Sequence, residues 1–282
     1  MMQTILKSKS KSVTIDNEAA FVVIGESINP TRRKKLTAAF TDRNYNYVME
    51  LADSQIKAGA DVLDINVGVP GLDEVSLLPD VVTAVTAQFD IPLCLDSPNP
   101  QALAAALAVA PERTLVNSVN GEEASLNAIL PIVKEFNAPV IGLTMDDDGI
   151  SMDVDKRVAI AGKIIERAAK LGIPSSDVVI DPLVMAVSAD HNAGKVTLET
   201  IQRIHDEFDA NITMGASNVS FGLPLRSVIN QAFMAIAISV GTSCAITNPV
   251  HLTNTIRAAD LLLGRDFYSM RYIQHYRQTQ KS

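Results

Sequence analysis

The chain has little of what metal and redox enzymes commonly use. Its 282 residues include two cysteines, four histidines and no tryptophan. Cys94 and Cys244 both sit in apolar runs, which argues against a disulfide framework or a cysteine-rich zinc or iron–sulfur site. His191, His205, His251 and His275 do not stand at metal-ligand spacing, so no metal is expected. Positive charge is in deficit, with 24 Lys+Arg against 32 Asp+Glu and a net charge of -8. That disfavours nucleic acid, whose phosphates need a basic surface. The longest apolar stretch, Ala232 to Ile246, is broken by Ser239, Gly241, Thr242 and Ser243. It falls short of the roughly 18 apolar residues of a membrane span. The basic N-terminus lacks the apolar region of a signal peptide, and a cytoplasmic chain is expected. No glycine-rich dinucleotide fingerprint, HExxH, GxSxG or Walker A motif occurs. Asp146-Asp147-Asp148-Gly149 lacks the spacing of a calcium loop and reads as a solvated turn.

What the chain does have is apolar mass, 47% of its residues, and a regular alternation. Short runs at Phe21–Ile24, Val62–Val67, Leu93–Leu95, Thr114–Val116, Val140–Leu143, Val178–Ile180, Ile212–Met214 and Cys244–Thr247 read as strands. Most are continuously apolar, as parallel strands buried on both faces are. Helical patterns separate them: Tyr47–Ala58, Val75–Gln88, Pro100–Val109, Glu122–Phe136, Asp155–Leu171, Val196–Phe208, Leu225–Ser239 and Leu252–Leu263. Eight βα units with no linker between them predict an α/β chain folded as a (β/α)8 TIM barrel over 21–282. A doubly wound open sheet gives the same local pattern and is the rival. Residues 1–20 form an N-terminal arm, for which a flexible tail and a short hairpin both stay open.

In such a barrel the C-terminal strand ends carry the active site. Here they read Gly25-Glu26-Ser27-Ile28-Asn29, Asp64-Ile65-Asn66, Leu95-Asp96-Ser97, Asn117-Ser118-Val119-Asn120, Leu143-Thr144, Ile180-Asp181, Gly215-Ala216-Ser217-Asn218 and Thr247-Asn248. A Ser, Thr or Asn in such a place commonly serves as a helix N-cap, and Ser97 and Asn99 before Pro100 are good candidates. That explanation is weaker for Asp64, Asp96 and Asp181, because buried carboxylates need partners. Several carboxylates at one mouth suit a neutral or cationic ligand rich in N–H donors. A phosphorylated substrate would call for glycines and basic residues instead.

The series GESIN, GADVLDINVG, LCLDS, VNSVN, IGLTM, VIDPL and GASNVSFGLPLR resembles the methyltetrahydrofolate:corrinoid protein methyltransferases. These are pterin-binding barrels of the dihydropteroate synthase-like superfamily, including the folate-linked component of corrinoid O-demethylation systems. The resemblance implies methyl exchange between tetrahydrofolate N5 and the cobalt of a corrinoid (cobalamin) carried by a partner protein. It implies 5-methyltetrahydrofolate or tetrahydrofolate as substrate, a homodimer, and pterin contacts at Asp96, Asn117, Asp181, Gly215, Ser217 and Asn218. Asn218 matches the residue that reaches toward N5 and carries the catalytic role. Glu26, Asn29, Asp64, Asn66 and Arg226 match the pattern as supporting or folate-tail contacts. The basic run Arg32-Arg33-Lys34-Lys35 is a candidate contact for the corrinoid partner or a polyglutamate tail, with a solvated helix start as the plain alternative.

A tertiary amine at N5 is a poor leaving group, so methyl transfer needs proton donation there. Asn218 can stabilise the protonated amine through its carbonyl oxygen while water or a neighbour delivers the proton. Two alternatives carry different expectations. A dihydropteroate synthase-like enzyme would have lysine and arginine in the seventh strand motif, where Gly215-Ala216-Ser217-Asn218 stands. A non-catalytic folate-binding subunit would bind folate without transferring methyl groups. A Schiff-base aldolase would need a strand-end lysine, and none is present.

Overall fold

Apolar runs flanked by amphipathic helices must bury both strand faces, and a closed parallel barrel does so. The computed structural model describes residues 2–280. An N-terminal antiparallel hairpin, β1 (Thr4–Lys7) and β2 (Ser12–Ile15), precedes the repeating units. Then follow β3 (Val22–Ile28), α1 (Lys34–Thr41), α2 (Asn46–Lys57), β4 (Val62–Asn66), α3 (Glu74–Gln88), β5 (Leu93–Asp96) and α4 (Pro100–Leu107). Next come β6 (Leu115–Asn120), α5 (Glu123–Glu135), β7 (Val140–Leu143), α6 (Val154–Lys170), β8 (Val178–Asp181) and α7 (Ala193–Phe208). The chain ends with α8 (Arg226–Ser239), β9 (Cys244–Thr247), α9 (Pro249–Leu262) and α10 (Met270–Thr279).

Seven strands pair in the order β8-β7-β6-β5-β4-β3-β9, every pair parallel. The expected seventh barrel strand, Ile212–Met214, closes the ring with isolated bridges rather than a ladder. Thr213 N–H donates to Ile180 O at 2.9 Å on one side, and Ile246 N–H donates to Met214 O at 3.0 Å on the other. The segment is too short for a full ladder, yet it joins β8 to β9.

Period-two alternation divides the strand residues. Val23, Leu63, Ile65, Leu95, Val116, Val140, Val178 and Ile180 face the helices in the larger core. Val22, Ile24, Val62, Cys94, Leu115, Ile141, Val179 and Cys244 fill the barrel interior, and both cysteines are free thiols there. Leu6 and Ile15 of the hairpin join this inner cluster, so residues 1–20 include a plug at the strands' N-terminal end rather than a loose tail. Arg113 fastens the plug through Ile5 O (3.1 Å) and pairs with Asp177 at 2.5 and 3.0 Å. Asn211 donates to Met2 O, Thr4 Oγ1 and Ile15 O.

Two helices absent from the sequence expectation, α1 and α10, are polar. The former begins inside the basic run, whose charges mask its one buried face of Leu36, Ala39 and Phe40.

Candidate active site

Following the inner face one step beyond the apolar layers brings the strand-end polar residues into the mouth. Asn66, Asp96 and Asn117 are direct cross-strand partners on β4, β5 and β6. Asn66 Nδ2 donates to Asp96 Oδ2 at 2.9 Å, and Asn117 Nδ2 donates to Asp64 Oδ1 at 3.4 Å. Asp64 lies one layer deeper, 2% exposed. Burial, with the Asp96 charge beside it, holds the Asp64 carboxyl well above the ordinary carboxylate range. Burial raises Asp96 as well, against the lowering effect of the Asn66 amide. Two carboxyls so placed favour keeping a proton between them.

Asp181 ends β8 and is 7% exposed. Burial pushes it up to about 7, offset in part by the Leu183 N–H (2.7 Å) and the charge of Arg157. Among the described residues, none of these three carboxylates has a cation at ion-pair distance. Buried hydroxyls of Thr144 and Thr247, also at strand ends, have no hydrogen-bond partner. Carboxyls set in a barrel mouth without a cation suit a ligand that supplies donors.

A cavity of about 440 Å³ opens beside Asp96, Asn117, Asn120 and Leu143. A second, about 330 Å³, lies across the mouth and is lined by Glu26, Ser217, Arg226, Asn230, Asn248 and His251. There Ser217 Oγ donates to Glu26 Oε1 at 3.3 Å, and burial raises the Glu26 carboxyl. Ser217 and Asn218 sit in the 3-10 turn Ala216–Ser220. Asn218 is exposed, and a Cβ built on Gly215 would come within 3.2 Å of its Nδ2. Glycine at 215 therefore leaves the amide its room. Arg226 donates to Ser217 O (2.8 Å) and Ser220 Oγ (3.0 Å), bracing this turn. Arg226 and Arg32 both lie over the Phe221 ring, at 5.5 and 5.2 Å.

The structure does not bring every expected residue into the mouth's hydrogen-bond network. Asn29 accepts from Thr31 N–H at 3.0 Å and closes a local turn. Asn99 and Asn248 cap α4 and α9. His191 is exposed. Asp146 and Asp148 pair with Lys156 in a surface turn, and among the described residues no His/Cys/Asp/Glu group could hold a metal. In the basic run, Arg33 is tied to Ser27 O at 2.9 Å and Lys35 to Glu50 at 3.3 Å. Sequence reasoning missed Glu74, which accepts from Ser97 Oγ at 2.6 Å, and Gln55, whose Oε1 accepts the Ser27 N–H at 2.8 Å. Glu74 reaches Ser97 from the preceding βα unit and Gln55 reaches Ser27 from the helix of its own unit, and no local motif marks either.

A parallel (β/α)8 barrel with an acid-and-amide mouth defines a class of pterin-binding barrels. The chain belongs to the pterin binding enzyme family, whose profile matches residues 25–248. Within it, the chain is 32% identical over 267 residues to the methylcorrinoid:tetrahydrofolate methyltransferase of Eubacterium limosum, covering 91% of this chain and 96% of that protein. It is 28% identical over 250 residues to the methionine synthase of Mycobacterium tuberculosis, covering 84% of this chain but only 21% of that much longer protein. Among solved structures, a dihydropteroate synthase of Xanthomonas albilineans with 4-aminobenzoic acid superposes with a TM-score of 0.70 at 19% identity. That match covers 93% of this chain and 98% of the other, and at such identity it speaks to the fold.

Proposed function

We propose that the chain is a methyltransferase that moves a methyl group between N5 of tetrahydrofolate and the cobalt of a corrinoid carried by a partner protein. The observation that carries this reading is the set of strand-end carboxylates raised by burial, with amide neighbours and no cation among the described residues, in a chain related along 91% of its length to a methylcorrinoid:tetrahydrofolate methyltransferase. A pterin offers ring N–H and exocyclic NH2 groups side by side. Asp96 and Asp181 accept them, and Asn117 both donates and accepts. N–H donors favour the ionised carboxylates and so reverse the effect of burial.

Glu26, Ser217 and Gly215 form the opposite wall, and Asn218 faces N5 with its amide. The Asn218 carbonyl oxygen accepts from the protonated amine and so steadies the charge that makes N5 a leaving group. Asp64 and Asn66 hold the clamp in place. Arg226 fixes the turn that bears Asn218, while Asn29 shapes the loop beside it. The corrinoid is the second substrate, and the open mouth admits it on its carrier. Arg32, stacked on Phe221 at the rim, faces that carrier or the folate tail.

We read the chain as a cytoplasmic component of a corrinoid O-demethylation system. Free buried thiols suit a reducing compartment, and no helix among the described residues is long and apolar enough to cross a membrane. We also read it as a homodimer, joined through α8, α9 and α10, where Leu225, Val228, Leu262, Phe267, Tyr268 and Met270 stand exposed. Sedimentation gives its mass in solution.

The test of the activity is the absorption spectrum of a methylated corrinoid protein mixed with tetrahydrofolate and the chain. Demethylation of the cobalt with formation of 5-methyltetrahydrofolate is expected. Folate binding with no spectral change leaves only a binding subunit. Condensation of a pterin pyrophosphate with p-aminobenzoate contradicts the assignment.

A further inference from the structure

Arg157, on α6, is the largest fully buried side chain among the described residues, with 0% exposure. Its partners are neutral carbonyls. Nε donates to Ser151 O at 2.6 Å, and Nη1 donates to Pro182 O at 2.7 Å and Leu183 O at 2.9 Å. Nη2 is buried with no partner. Burying a charge in this way opposes folding, and a hydrophobic side chain would pack the same volume more favourably. The arginine therefore serves something that packing alone does not.

The segment it grips lies against Asp181. Leu183 adopts a left-handed backbone, φ 65°, which a leucine enters only when its surroundings impose it. In that conformation its N–H donates to Asp181 Oδ1 at 2.7 Å. Thr197 of α7 adds only a long 3.5 Å contact to Leu183 O, so the guanidinium is the main clamp on the turn. Ser151 O ties the same group to the loop after β7.

We infer that Arg157 is a positioning residue: it holds the Pro182–Leu183 turn so that the Leu183 N–H fixes the orientation of the Asp181 carboxylate. The inference rests on the reading of Asp181 as a pterin contact. The charged and titratable groups acting on Asp181 are Arg157 from α6 and the Cys244 thiol of β9, which burial pushes up to about 12 and keeps neutral.

The test is a double-mutant cycle read by 5-methyltetrahydrofolate titration on the full chain. Arg157→Met weakens binding about tenfold in the native background. In the Asp181→Ala background it changes affinity by less than about twofold, because the side chain it positions is gone. An equal loss in both backgrounds overturns the inference alone. Asp181→Ala binding like the native chain overturns the reading beneath it, and the inference with it.

A second readout separates positioning from general support. Loss of the charge in Arg157→Met raises the pH midpoint at which folate affinity appears. Arg157→Lys keeps the charge but lacks the planar fork, so it lowers affinity with the midpoint in place. An unmoved midpoint in Arg157→Met contradicts the inference. Failure of both variants to fold assigns the residue to stability and overturns it too.

Discussion

The two ends of this barrel treat polar groups in opposite ways. At the base, Arg113 is paired bidentately with Asp177, and Asn211 gives its amide N–H groups to three acceptors of the N-terminal arm. At the mouth, Asp64 and Asp181 are buried and Asp96 half-buried, yet they have amides and backbone N–H groups for company and, among the described residues, no contacting cation. Burial raises all three carboxyls. A charge paired with its opposite holds structure together. Carboxyls raised by burial with no cation beside them are a cost to the fold that a ligand's donors remove. The difference assigns the base to stability and the mouth to binding.

The contrast can be broken in order of expected effect. Asn218→Ala is expected to slow methyl transfer by roughly 10²–10³-fold with folate affinity little changed, because the amide acts on charge developing at N5. Rapid mixing followed by corrinoid absorbance, beside a folate titration, reads both. Equal losses in the two would remove Asn218 from the chemistry. At the other end, Arg113→Ala breaks a largely buried pair and is expected to cost about 3 kcal/mol of stability in urea. Folate affinity of the folded fraction should stay as it was.

The pH dependence comes next, and its sign follows from the raised carboxyls. Between the ordinary carboxylate range and about 7, folded Asp181 keeps a proton that the unfolded chain has lost. The contribution of Asp181 to the stability of the ligand-free protein is therefore full below that window and is lost as pH rises through it, about 2 kcal/mol between pH 5 and pH 8. Urea midpoints across that range check it, and Arg113→Ala should shift the curve without flattening it. The smallest effect expected is from Asp96→Asn. It keeps the shape and the acceptor oxygen but loses the charge, and folate affinity should fall about tenfold. An unchanged affinity would move the pterin away from β5.

Much of this was legible in the residues themselves. Cys244–Thr247 and Val140–Leu143 are strands with the expected limits, because strands buried on both faces have no reason to be anything but apolar. The first and fourth barrel strands run further than expected, to Ile28 and Asn120, because polar residues facing the mouth look like the end of a strand. Ile212–Met214 was readable as a strand but pairs only through single bridges. In the mouth, Asp64, Asp96 and Asp181 stood out because a charge directly after an apolar run has no local explanation. Asn29 did not separate from them, since an Asn that closes a turn and one that binds a ligand are spelled alike. Arg157 was illegible for another reason: its partners Pro182 and Leu183 lie 25 and 26 residues away on a different unit.

The most direct test of the central claim is a pair of readings on Asp181→Asn at pH 8. The neutral amide still accepts the Leu183 N–H, so the account predicts stability in urea that equals or exceeds the native chain's, together with weakened 5-methyltetrahydrofolate binding. Lowered stability with native affinity would make Asp181 a structural residue and contradict the account.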